Sequence, residues 1–133
     1  MIVGKDVYKI KSDCVELGNT CCFTQNRVIE KMATCPETCR EHLGQYLKCL
    51  MIIDSICKCI SVCCCNMDGV SGHMVKELKR ACNKIMNCIE NLEKVCDKDN
   101  IEYMKLNKVK KLCVHCSNHT KLLKKSKKNK HNN

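Results

Sequence analysis

The sequence predicts an all-α chain: an antiparallel up-down-up-down four-helix bundle with a cysteine-lined core. Three observations predict it. Apolar residues and cysteines recur in alternating steps of three and four along most of the chain. Pro occurs once and Gly five times in 133 residues, so breaks are few. Cysteine occurs 16 times while aromatics make up 3%, with no Trp and one Phe, so the core has to be built from Leu, Ile, Val, Met and Cys. Steps of three and four keep one helical face turned toward its neighbours. A chain of this length makes one domain around one core.

The first stripe runs Val7, Ile10, Cys14, Leu17, Cys21, Thr24, Val28. Pro36 suits the first position of the next helix, with Thr34 or Cys35 as its cap. The second stripe is Cys39, Leu43, Tyr46, Leu50, Ile53, Cys57, Ile60, Cys64, Met67, and the segment Asp68-Gly69-Val70-Ser71-Gly72 reads as the turn that closes it. The third is Val75, Leu78, Cys82, Ile85, Ile89, Leu92, Cys96. Asp99 followed by Glu102 resembles a capping box for the fourth helix, whose stripe is Leu106, Val109, Cys113, Cys116, Thr120, Leu123. Short connections between long helices make sequential neighbours antiparallel.

The bundle is assigned to residues 1–124 and a disordered basic tail to 125–133. Much of the formal charge of +10 gathers in the closing string KLLKKSKKNKHNN. Such a run is ordinarily a solvated tail. No stacking aromatics accompany it, so nucleic acid is not expected as a partner.

Lys5, Asp6, Lys9 and Lys11 interrupt any apolar run that a secretory leader would need at the start. The most apolar stretch, Cys49 to Ile53, is far shorter than the roughly 20 residues of a membrane span. The expectation is a cytoplasmic protein without a membrane partner, its thiols kept reduced.

Reduced thiols in this number point to metal. Residues one helical turn apart hold their Cβ atoms about 5–6 Å apart, whereas a disulfide wants about 3.5–4.5 Å. Pairs such as Cys35/Cys39 and Cys59/Cys63 are therefore better set to share an ion than to bridge. Cys14, Cys57, Cys82 and Cys116 each fall about eight to ten residues from one end of the bundle, a common depth of about 12–15 Å. Cys113 lies just below them. Cys21, Cys49 and Cys88 make a looser second layer, and Cys39 and Cys96 lie toward the far end. The full candidate ligand set is Cys14, Cys21, Cys35, Cys39, Cys49, Cys57, Cys59, Cys63, Cys64, Cys82, Cys88, Cys96, Cys113 and Cys116. Helical neighbours differ by about 100°, so Cys21-Cys22 and Cys63-Cys64-Cys65 cannot all face inward. Cys22, Cys59 and Cys65 are the ones expected to turn away. As simple core filler, cysteine is a small hydrophobe, but Leu, Ile or Ala would fill with less chemical risk.

Soft thiolates select Cu(I), zinc or iron–sulfur clusters. A structural zinc site takes four converging ligands, usually from paired CxxC elements, and only Cys113–Cys116 has that spacing. Ferredoxin-type Cys runs are absent. Multiple Cu(I) ions bound along the core fit best, with zinc as the alternative. At two unshared thiolates per ion the ceiling is about eight ions. Met67, His73, Met74 and His119 gather at the end nearest the thiol layer and form a candidate mouth through which copper would enter. The partners expected are copper ions, a protein that donates or accepts them, and further copies of the chain in a homo-oligomer.

The stretch IIDSICKCISVCCCNMDGVSGHMVKELKRACNKIMNCIENLEKVC resembles the second and third helices of the four-helix-bundle copper storage proteins, especially their signal-less cytosolic branch. Asp54, Cys57, Gly69, Ser71 and His73 take the places of that family's acidic residue, Ile-Cys element and Gly-Ser-x-x-His-like turn, followed by Cys82, Cys88 and Cys96. The closing VKKLCVHCSNH is similar to the family's last Cys-rich helix. The resemblance covers about the C-terminal two-thirds and implies reversible storage of many Cu(I) ions by core thiolates. The family's dense CxxxC repeats are thinned here, with Leu78, Ile85, Ile89 and Leu92 standing where thiols would be expected. No catalytic residue is predicted: the His–Cys neighbours of the fourth helix imitate a nucleophile and its base but bring no orienting third group. The rival readings are a disulfide-stapled helical protein, a zinc-binding interaction module and a disordered metallothionein-like chain.

Overall fold

The computed structural model describes the backbone of residues 5–65 and 72–131 and the side chains of residues 8–62 and 72–120. Five helices follow one another: α1 (Lys5–Met32), α2 (Glu37–Cys65), α3 (Gly72–Val95), α4 (Lys98–Ile101) and α5 (Leu106–His131). No strand occurs among the described residues. None of the described helices is long and apolar enough to cross a membrane.

The stripes become the core. Ile10, Cys14, Leu17, Cys21 and Val28 of α1 are buried against Leu43, Tyr46, Leu50, Ile53, Cys57 and Ile60 of α2 and the apolar stripes of α3 and α5. Each such large aliphatic side chain contributes about 1.5–3 kcal/mol when fully buried. The two stripe threonines on α1 and α5 are buried without loss. Thr24 donates its hydroxyl to the Thr20 carbonyl at 2.7 Å, and Thr120 donates to the Ser117 carbonyl at 2.8 Å.

Cross-helix contacts fix the register. On α1 and α2, Gly18 lies beside Cys57 and Gly44 lies beside Met32, so residue numbers rise on one helix as they fall on the other. Gly18 is required by this approach: a Cβ there would stand 3.1 Å from the Cys57 Cβ. His119 of α5 meets Asp13 of α1, while Arg27 further along α1 stacks near Tyr103, just before α5. Lys110 of α5 pairs with Glu93 of α3 at 2.8 Å. The ring of packed pairs is α1 with α2, α2 with α3, α3 with α5 and α5 with α1.

Helix ends depart from the sequence expectations. Pro36 stands just before α2, its carbonyl accepting the Arg40 amide at 2.9 Å. Thr34 and Cys35 do not cap α2. Their side chains donate back to Lys31 and Met32 carbonyls at 3.4 and 3.9 Å, closing the end of α1. Asp99 and Glu102 do not cap the fourth long helix either. Asp99 lies inside the short α4 and Glu102 ends it, and α5 starts only after Lys105, whose φ of 56° is the one left-handed turn of a non-glycine residue among those described. The Gly69–Ser71 turn lies outside the described residues. The helical backbone of α5 continues to His131, through most of the segment expected to be a disordered tail. That segment holds neither Gly nor Pro to stop it, and Lys is a good helix former.

Candidate metal centre

Ten thiols reach the interior, eight of them on the helical stripes and Cys35 and Cys49 beside them: Cys14, Cys21, Cys35, Cys39, Cys49, Cys57, Cys82, Cys96, Cys113 and Cys116 are all buried and free. They meet in pairs across helix interfaces. Cys14 of α1 lies beside Cys57 of α2, and Cys82 of α3 beside Cys113 of α5. Cys49 of α2 and Cys88 of α3 bring their sulfurs to 3.5 Å, with Cys88 half-buried. At the end beside α4, the Cys96 thiol donates to the Cys39 carbonyl at 4.0 Å, and Cys35 stands close to Cys39.

The first two pairs share one neighbourhood. Cys116 feels Cys14, Cys82 and Cys21 electrostatically, and Cys82 feels Cys14. Cys21 therefore belongs with this group and not with Cys49 and Cys88, where its count from the helix end had set it; its strongest thiol neighbour is Cys82. The phenol of Tyr46 sits among Cys21, Cys113, Cys49 and Cys88 and donates its proton to the Met104 carbonyl at 2.9 Å.

Burial and thiol–thiol contact hold these groups protonated. Desolvation, with smaller contributions from neighbouring thiols, pushes Cys21, Cys39 and Cys49 from 9.0 up to about 12. The adjacent thiols of Cys57 and Cys113, followed by burial, push Cys14 and Cys82 higher still. Burial, then the charges of Cys14 and Cys82, raises Cys116. An unpaired thiolate in this interior is strongly disfavoured, and only a bound cation would offset its cost.

Among the described residues two cysteines face solvent, Cys22 and Cys59. Of these only Cys59 belongs to the candidate ligand set, while Cys22 is exposed as expected; Cys59 lies two residues beyond Cys57, about 200° around the helix, so burying one exposes the other. The Cys59/Cys63 pairing is thereby withdrawn from the core. The side chains of Cys63, Cys64 and Cys65, and all of Met67, lie outside the described residues. At the expected mouth, His73 is exposed and Met74 half-buried at the start of α3. His119 is engaged through Nδ1 by the Asp13 carboxylate, next to Cys14, and its ring centroid lies 6.2 Å from that of His115. Asp13 is the orienting group that sequence reasoning missed. Its signal was present: it precedes Cys14, which shares a depth with Cys116, three residues before His119.

Asp54 is the buried acid of the α1–α2 interface. One oxygen pairs with Lys58 at 3.1 Å and the other has no hydrogen-bond partner among the described residues. Among the described residues no three His, Cys, Asp or Glu side chains converge as a ready cage for one metal ion. The surface hollow at the α4–α5 corner is lined by Glu93, Lys98, Asp99, Glu102 and Lys105 and contains no thiol. No family model matches the chain, and no curated protein or solved structure shows significant similarity to it.

Proposed function

We propose that the chain is an up-down-up-down four-helix bundle that stores several Cu(I) ions on paired core thiolates, in a compartment that keeps thiols reduced. The observation that supports this reading is the pairing itself. Cys14/Cys57, Cys82/Cys113 and Cys49/Cys88 each join two helices, the first two pairs in the buried core and the third at its edge. Two soft ligands satisfy Cu(I), whereas structural zinc asks for four converging ones. Two-sulfur pairs at several levels of the core therefore favour copper over the zinc reading.

Loading follows from the thiol chemistry. Each ion displaces the protons of the thiols that bind it, so uptake releases protons and weakens as pH falls. The stored cation neutralises thiolate charge that the core could not otherwise hold. His119, held by Asp13 beside the Cys14 group, is the side chain best placed to receive an ion on its way in. An acyl-transfer or other nucleophilic role is disfavoured by the same facts: a reactive cysteine has its thiolate favoured, and Cys116 near His119 has it disfavoured.

Anaerobic titration of the reduced protein with Cu(I) against a competing chelator tests the reading. Several tightly held ions per chain, with proton release, are expected. Saturation at one ion or none, or a preference for zinc over Cu(I) in competition, would overturn it.

A further inference from the structure

Helix α1 carries a second stripe, on the side away from the core. Tyr8, Ser12, Val15, Asn19, Cys22, Asn26 and Ile29 are all exposed, and they follow one another in alternating steps of four and three. That is the spacing of a helix–helix seam. None of the seven is charged, on a chain in which 29% of residues are. Tyr8 and Ile29 are 74% and 53% exposed, so the seam is not covered by the chain's own helices.

The rest of the surface sharpens the contrast. Phe23 on α1 and Met51, Ile52 and Val62 on α2 are also exposed. By comparison α3 turns Lys76, Arg80, Lys84, Glu90 and Lys94 to solvent. The seven seam positions of α1 are uncharged, and the exposed charges Lys9, Glu16 and Glu30 stand beside them. Exposed apolar surface of this extent marks a binding face.

We propose that this face of α1 docks, antiparallel, against the same face of a second copy of the chain. The seam is symmetric about Asn19: apolar side chains and small polar ones alternate identically in both directions, so a two-fold axis there sets apolar against apolar. Asn at a seam position fixes register and partner number, whereas a lipid surface would leave Ser12, Asn19 and Asn26 without hydrogen bonds. Along the rim, antiparallel docking brings Lys9 level with the partner's Glu30, and Glu30 level with the partner's Lys9.

The test uses the reduced, metal-free full chain in sedimentation velocity over a range of concentrations. A monomer–dimer equilibrium is expected. Val15→Glu and Ile29→Glu should each raise the dimer dissociation constant about tenfold or more, with helical circular dichroism unchanged, while Val114→Glu on α5 leaves it unaltered. Lys9→Glu and Glu30→Lys should each weaken the dimer, and the double variant should restore it. A chain that stays monomeric at all concentrations would overturn the proposal, as would charge swaps that fail to rescue one another. Flotation of a monomeric chain with phosphatidylserine vesicles, abolished by Ile29→Glu, would assign the face to lipid and also overturn it. Copper capacity plays no part in these readouts, so the storage reading stands or falls separately.

Discussion

Cys49 and Cys88 face each other across the α2–α3 interface with 3.5 Å between their sulfurs, one buried and the other half open to solvent. Neither lies on the principal stripe of its helix. They meet because each is one residue from a core position, Leu50 and Ile89, at the same level of the bundle. Replacing both with Ser should lower Cu(I) capacity while the fold persists, because Ser is close to Cys in size. Replacing the exposed Cys22 and Cys59 with Ser should leave capacity unchanged. Chelator-competed titration of the two double variants, with circular dichroism as the control for folding, checks both outcomes.

The raised thiols make the metal-free protein sensitive to alkali. Cys21, Cys39 and Cys49 remain protonated in the fold up to about 12, against 9.0 for the ordinary thiol. Between those values the folded chain binds more protons than the unfolded one, so stability declines as pH rises. Below 9.0 their contribution is present in full. Urea unfolding of reduced apo-protein should give constant midpoints from about pH 7 to 8.5 and falling ones above. Copper-loaded protein should show a much smaller decline.

Gly18 is where α1 comes closest to α2. A Cβ would meet that of Cys57 at 3.1 Å, so Gly18→Val forces the helices apart or distorts the Cys14/Cys57 pair. The expected cost is about 1–3 kcal/mol from overpacking, even though Val improves on Gly as a helix former. A lower denaturation midpoint, and a loss of copper bound to the first thiol group, should appear together.

Tyr46→Phe removes one hydroxyl and leaves the Met104 carbonyl without its donor at 2.9 Å. Both groups are buried, so the substitution should destabilise by about 1–3 kcal/mol. The effect should be seen in chemical denaturation and be nearly absent from copper capacity.

Among the described side chains the helical stripes were legible residue by residue, down to the buried Thr24 and Thr120, because the period of the pattern depends only on local geometry; those of the stripe positions Val7, Cys64, Met67 and Leu123 lie outside them. The thiol group of Cys14, Cys57, Cys82 and Cys116 was likewise reachable by counting from the helix ends. Counting failed where helices slide past one another or change length. Cys21 joins Cys82 because depth from a terminus says nothing about axial offset. The break at α4 escaped detection because Asp99 and Glu102 have the spacing of a cap without its geometry, and because the turn at Lys105 uses a residue that carries no turn signal. The Asp13–His119 contact joins positions 106 apart in sequence, and only the assembled register brings them together.

The chain has no tryptophan and three tyrosines, of which Tyr8 and Tyr103 stand in solvent. The third, Tyr46, is sealed among four sulfurs. Ultraviolet emission from this protein therefore combines two outer fluorophores, indifferent to what the core contains, with one inner fluorophore whose phenol is bonded to the Met104 carbonyl and feels the core thiols electrostatically. A change in the inner component, isolated by quenching the outer two with iodide, would give an optical readout of core occupancy without any added label.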